Sequence, residues 1–124
     1  LDGVIHLVGG FASGAMADET GSDEVERMLD LNYRSAITLA RAVMPHLRKQ
    51  RSGRFAAIGS RIVEAPAPLT AAYAASKAAL VAWMRTLDVE SAPMGVRVHV
   101  LLPDTLNESE TARVTRELLE FIAS

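Results

Sequence analysis

Three short apolar runs, each closed by glycine or proline and each followed by a stretch of helical spacing, limit what this chain can fold into. Leu1 to Val8 (LDGVIHLV) is rich in β-branched residues and stops at Gly9-Gly10. Phe55 to Ile58 stops at Gly59, and Val96, Val98 and Val100 to Leu102 stop at Pro103. Apolar runs so punctuated read as buried strands. Beyond a loop from Gly9 to Gly21, residues Val25, Met28, Leu29, Ala36, Leu39, Ala40 and Val43 recur at helical spacing. Ser22 or Asp23 is the expected cap of that helix, with Asp23, Glu24 and Glu26 near its positive end. Pro45 is expected to end or kink it, leaving His46 to Arg51 as a basic exposed turn that breaks at Ser52-Gly53. Ser60 to Leu69 holds two prolines and reads as a loop. Thr70 to Ser91 is helical, and between Ala71 and Met84 its strongly polar side chains are Ser76 and Lys77, so the helix is expected to be buried. Pro93-Met94-Gly95 is a turn, and Asp104 to Ser109 is a polar loop. Thr111 to Ile122 is a last helix with Ser109 or Thr111 as its cap.

Strands alternating with long helices imply right-handed crossovers and a parallel sheet. The expected fold is therefore α/β: a partial Rossmann-like parallel sheet of three strands with three main flanking helices, read as a single domain over residues 1–124. In such sheets ligands bind beyond the carboxyl ends of the strands, here Val8-Gly10, Gly59-Ser60 and Leu102-Asp104.

Composition removes several function classes. The formal net charge of −2 gives no polyanion footprint, so no nucleic-acid partner is expected. Without cysteine there is no disulfide framework or thiolate metal site, and His6, His46 and His99 lack ligand spacing, so no metal site is expected. His6 and His99 are expected to be satisfied core residues. No run approaches the ~18 apolar residues of a membrane span, and no signal peptide is visible, so a cytoplasmic protein without a membrane partner is expected. Ala57-Ile58-Gly59-Ser60-Arg61 is not the G-x-S-x-G elbow of a serine hydrolase.

What carries chemistry is a tyrosine and a lysine four residues apart, Tyr73 and Lys77, stacked on one helix face. An ammonium beside a phenol favours the phenolate, the requirement for a tyrosine acid or base near neutral pH. Ser60, at the end of the preceding strand, is placed to bring its hydroxyl toward Tyr73, and the two could polarise one carbonyl oxygen. Asn32 is a polar side chain inside an apolar helical stretch, LDLNYRSAITLA.

Together these residues resemble the short-chain dehydrogenase/reductase family. Ala71-Ala72-Tyr73-Ala74-Ala75-Ser76-Lys77-Ala78-Ala79-Leu80 is similar to its signature, and Ser60 lies thirteen residues before the tyrosine, as in the family. Leu31-Asn32-Tyr33-Arg34-Ser35 is similar to the helix that contributes the family's asparagine, and Gly95 to Val100 to the strand after the tyrosine helix. The resemblance implies hydride transfer between NAD or NADP and a small-molecule carbonyl or alcohol. It makes Tyr73 the proton donor or acceptor, and Lys77 its electrostatic partner and the holder of the nicotinamide ribose. Ser60 would orient the carbonyl, and Asn32 would support a proton-relay water. Gly9, Gly10, Tyr73, Lys77, Pro103, Asp104, Thr105 and Leu106 are the positions that would approach the cofactor. The resemblance also implies a homo-oligomer paired through the two long helices, with Leu80, Trp83 and Leu87 as contact residues.

The pattern departs from the family at several points. Leu7-Val8-Gly9-Gly10 stands where the family has Asn-Asn-Ala-Gly, and Glu108 stands where a threonine is expected. Gly9-Gly10-Phe11-Ala12-Ser13-Gly14 lacks the G-x-G-x-x-G order and precedes Asp18 and Glu19, which would repel phosphate. The 124 residues thus read as the catalytic half of a family member, expected on their own to bind NAD or NADP weakly and to be inactive or weakly active. The alternative expectation is a truncated or degenerate non-catalytic module with a structural or oligomerisation role.

Overall fold

The computed structural model describes residues 1–104 and 107–124. Strand β1 (Gly3–His6) leads through a 3-10 turn (Ala17–Glu19) into helix α1 (Ser22–Leu29), a π-helical turn (Asp30–Arg34) and helix α2 (Ser35–Gln50). Strand β2 (Gly53–Ile58), helix α3 (Ala71–Ser91), strand β3 (Val96–Leu101) and helix α4 (Glu108–Ala123) follow. The three strands lie side by side in the order β1-β2-β3, all parallel, with Gly3 opposite Arg54 and Gly53 opposite Val96. The expected parallel α/β sheet is what forms.

Helices cover both faces of the sheet, so the strands bury alternate residues in two cores. Phe55, Ala57, Val96 and Val98 pack against Ala36, Ala40, Met44 and Leu47 of α2 and Leu80, Met84 and Leu87 of α3. On the other face Ala56 and Leu101 meet Val114 and Leu118 of α4. Leu80 and Leu87 are thus core residues of this chain, and of the three expected contact residues only Trp83 is left partly exposed beside that core.

Several local expectations are corrected. The first strand is half the expected run: Leu1, Leu7 and Val8 are exposed, because β1 pairs only with β2 and the chain leaves the sheet after His6. Pro45 does not end the helix. Its ring is on the solvent side, while Met44 and Leu47, both buried, keep the backbone in the core through Gln50. The stop is Arg51 in the left-handed conformation (φ 56°) rather than Ser52-Gly53. The residue capping α1 is Gly21, without a side-chain bond, and that of α4 is Asn107, whose Oδ1 accepts from Glu110 N at 2.8 Å. His99 is exposed and lies against Phe121, ring centroids 5.2 Å apart, because it faces the uncovered margin of β3.

The π turn has a cause in the sequence. Met28, Asn32, Ala36, Ala40 and Met44 all point inward at four-residue spacing. In a helix of 3.6 residues per turn that stripe drifts by about 40° at each step. A π turn is wider and absorbs part of the drift. On its outer side Arg34 bonds both Glu26 and Asp30 at 2.7 Å, an exposed arrangement that adds little to stability.

Candidate active site

Asn32 is fully buried within the π turn, and its amide is a clamp. Its Oδ1 accepts from Gly10 N at 2.9 Å, and its Nδ2 donates to Gly10 O at 2.9 Å and to Ser76 Oγ at 3.1 Å. Ser76 Oγ in turn donates to Tyr73 O at 2.7 Å. One side chain therefore joins the segment after β1 to the helix that carries Tyr73 and Lys77.

Gly9 shows how tightly these parts meet. A Cβ there would stand 2.8 Å from Asn32 Oδ1, so glycine lets the segment after β1 pass over that amide, and 3.5 Å from Lys77 Nζ, which lies just beneath. Lys77 is itself buried, and its Nζ donates to Ile58 O at 3.0 Å, at the carboxyl end of β2. Burial pushes its ammonium down to about 8. The same Nζ lies 5.8 Å from the centroid of the Tyr73 ring. Asn32, Lys77, Tyr73, Gly9 and Gly10 are thus gathered at one end of the sheet.

Sequence reasoning missed His6 as part of this support. Its Nε2 lies 3.0 Å from Ser35 Oγ, and Ser35 Oγ donates to Leu31 O at 2.7 Å. The hydroxyl proton is used on Leu31, so His6 Nε2–H is the donor and Ser35 the acceptor. Burial and the nearby Lys77 charge hold the His6 imidazole below its usual range, which keeps it in this neutral, single-donor form. His6 is thus the satisfied core histidine expected, and it ties β1 to the π turn.

Ser60 opens a 3-10 turn (Arg61–Val63), and its Oγ accepts from Ile62 N at 3.2 Å. Among the described residues its hydroxyl proton has no acceptor. Pro103 is buried and its carbonyl accepts from Arg61 N at 3.0 Å, fastening the loop after β2 to the end of β3. Asp104 is exposed and faces Arg61 at 3.5 Å. Thr105 and Leu106, also expected near the cofactor, lie outside the described residues. Glu108 begins α4 and is exposed.

Two further residues flank the tyrosine. The Phe11 ring meets the Tyr73 ring edge-on, centroids 4.9 Å apart and planes at 72°. Leu69, just ahead of α3, holds φ at +63°, and its carbonyl accepts from Gly14 N at 3.0 Å. A left-handed leucine costs on the order of 1 kcal/mol and persists only where its surroundings enforce it. The Gly14 bond is one such constraint, and it holds the segment after β1 against the start of α3.

The arrangement fits the ends of parallel strands where dinucleotides and their substrates meet. The sequence profile described as short chain dehydrogenase matches residues 1–118. The chain belongs to the short-chain dehydrogenase family. It is 32% identical over 111 residues to 11-beta-hydroxysteroid dehydrogenase-like 3 of Arabidopsis thaliana, covering 90% of this chain and 35% of that protein. It is also 32% identical over 97 residues to human dehydrogenase/reductase SDR family member 4, covering 77% of this chain and 34% of the relative. Among solved structures, NAD+-bound xylitol dehydrogenase superposes with a TM-score of 0.81 at 26% identity, over 100% of this chain and 48% of that one. ElxO with NADP bound gives 0.82 at 19% identity, over 94% and 48% respectively, a likeness of fold. This family member spans about a third of the length of the curated relatives it matches. No helix among its described residues is long and apolar enough to cross a membrane.

Proposed function

We propose that the protein carrying these residues transfers hydride between NAD or NADP and the carbon of a carbonyl or alcohol, with Tyr73 as acid and base. One observation carries the reading: the buried Lys77 ammonium sits behind Gly9, 5.8 Å from the Tyr73 ring, with Ile58 O as its acceptor among the described residues. An ammonium has three N–H bonds, so two remain for a ligand. Ribose hydroxyls fit that need. A nicotinamide cofactor, when bound, supplies or accepts the hydride. Tyr73 gives its hydroxyl proton to the carbonyl oxygen during reduction and takes it back during oxidation. Ser60 donates its hydroxyl proton to the same oxygen. Asn32 holds Gly10, and through Ser76 the Tyr73 helix, in the geometry this requires. Gly9, Gly10, Pro103 and Asp104 edge the space the cofactor would occupy. We further infer a homo-oligomer. Its second copy would cover the open groove along α3 lined by Tyr33, Ala79, Ala82, Trp83 and Glu90.

Lys77→Met tests the reading in the full-length protein. Titration with NADH and NADPH should show binding weakened about tenfold or more, equivalent to one charge-assisted hydrogen bond. Stability should move the other way. The ammonium titrates at about 8 when folded against 10.5 as its ordinary value. The unfolded chain therefore holds more protons between these values, and stability rises with pH across that window. Below about 8 the burial penalty stands in full, roughly 3 kcal/mol before the Ile58 bond is set against it. The methionine variant should thus be more stable than wild type by about 1–2 kcal/mol at pH 7, an advantage that shrinks as pH rises from about 8 toward 10.5. Unaltered cofactor binding would remove Lys77 from the site.

A further inference from the structure

Among the described residues nine large apolar side chains are exposed, and five of them, Leu7, Val8, Phe11, Met16 and Leu69, lie on the two segments that lead from the end of β1 and into α3. Single exposed apolar residues are ordinary, but such a concentration at one end of a sheet marks a binding surface. Two of the five are fixed in place. Phe11 follows Gly10, whose N–H and C=O are both held by Asn32, and its ring stands edge-on to Tyr73 while remaining 61% exposed. Leu69 lies four residues before Tyr73, left-handed, with its carbonyl holding Gly14 N and its side chain 43% exposed. Neither side chain is consumed by the core. An exposed, immobilised aromatic ring touching the acid–base residue is suited to a ligand already seated at that residue.

We propose that Phe11 and Leu69 form an apolar subsite beside Tyr73 that selects carbonyl substrates bearing an aromatic or branched apolar group next to the reacting carbon. The inference rests on the reading of Tyr73 given above. Phe11 offers a ring edge or face at 4.9 Å from the tyrosine, the separation at which aromatic groups pack. Leu69 offers branched methyl groups, 43% exposed, from the segment that leads into α3, where its carbonyl ties down the same loop that carries Phe11. Neither side chain can hydrogen-bond, so a polyol or a charged sugar would find its hydroxyls unpaired there. An aryl or branched alkyl ketone would have apolar surface removed from water.

The test compares Phe11→Ala and Phe11→Leu with wild type in the full-length protein, using an aryl methyl ketone and a two-carbon aldehyde. For Phe11→Ala, kcat/KM for the ketone should fall by about 10- to 100-fold, at least ten times the loss on the aldehyde. Phe11→Leu should recover most of the activity on a branched alkyl ketone. Binding of the ketone to a Tyr73→Phe background, followed by ligand-observed NMR, gives a readout that needs no turnover. It should be lost when Phe11→Ala is added. Equal losses on ketone and aldehyde, or ketone binding that survives Phe11→Ala, would overturn the subsite. If wild type reduces no carbonyl yet binds the ketone through Phe11, the oxidoreductase reading fails while the apolar subsite stands.

Discussion

Exchanging Tyr73 for phenylalanine in the full-length protein should lower carbonyl turnover by at least about 100-fold while leaving its unfolding transition in place. The change removes one oxygen from a half-buried side chain. It keeps the ring that meets Phe11 edge-on at 4.9 Å and lies 5.8 Å from Lys77 Nζ, so the packing around α3 is undisturbed. The backbone carbonyl that accepts from Ser76 is also retained. What is lost is the proton that must reach the carbonyl oxygen as the carbon is reduced. A positioned general acid contributes about 10²- to 10⁴-fold. Steady-state rates with thermal unfolding followed by circular dichroism would check both halves. Turnover within about threefold of wild type would show that another group moves the proton.

Replacing Asn32 with alanine should be among the most damaging single changes to the fold. The side chain is fully buried and serves Gly10 N, Gly10 O and Ser76 Oγ together. Alanine leaves the two Gly10 groups without their partner and opens a gap beside Met28. A buried polar group left without its partner costs about 1–3 kcal/mol; the Gly10 groups are half-buried and cost less than that limit, so a total of about 3 kcal/mol, cavity included, is expected. In a protein of this family's full length that is roughly 10 °C in the unfolding midpoint. Activity should fall as well, because Gly9 and Gly10 lose the contact that holds them over Lys77. Urea titration monitored by the Trp83 fluorescence would measure the change. A loss below about 1 kcal/mol would mean that water replaces the amide at Gly10 and that the clamp is dispensable.

The alternation of strands and helices was legible because it rests on period and punctuation: three apolar runs, two ending in glycine and one in proline, with long helical stretches between. The nearness of Lys77 to the Tyr73 ring was legible because their four-residue spacing puts both on one helix face, and the place of Ser60 just beyond β2 because a glycine closes that run. The use made of Asn32 was not. Its position in an apolar helix signals a buried amide, but the partner, Gly10, is set by how far the helix is rotated by the π turn, whose cause, the four-residue stripe from Met28 to Met44, shows only once the buried face is known. Ser76 carried a clearer signal as one of two polar residues in an apolar stretch, and its bond to Asn32 explains why it is buried. Pro45 was misleading because its local effect on the helix is overridden by Met44 and Leu47 in the core. The caps at Gly21 and Asn107 precede the expected ones by one to four residues, because competing polar side chains near a helix start cannot be ranked from sequence. Phe11 gave no sequence signal apart from being an aromatic residue in a glycine-rich loop, since its contact with Tyr73 depends on the crossing of two segments distant in the chain.

The central claim is that Tyr73, Lys77 and the Gly9-Gly10 strand end form the proton-transfer half of a nicotinamide-dependent carbonyl reductase. The most direct test incubates the full-length protein with an aryl methyl ketone and NADPH or NADH carrying deuterium at the transferable position, and measures the mass of the alcohol formed. The account predicts an alcohol with one deuterium on the carbinol carbon, formed by wild type and not by Tyr73→Phe. An alcohol formed without the label, or labelled alcohol formed equally well by Tyr73→Phe, would contradict it.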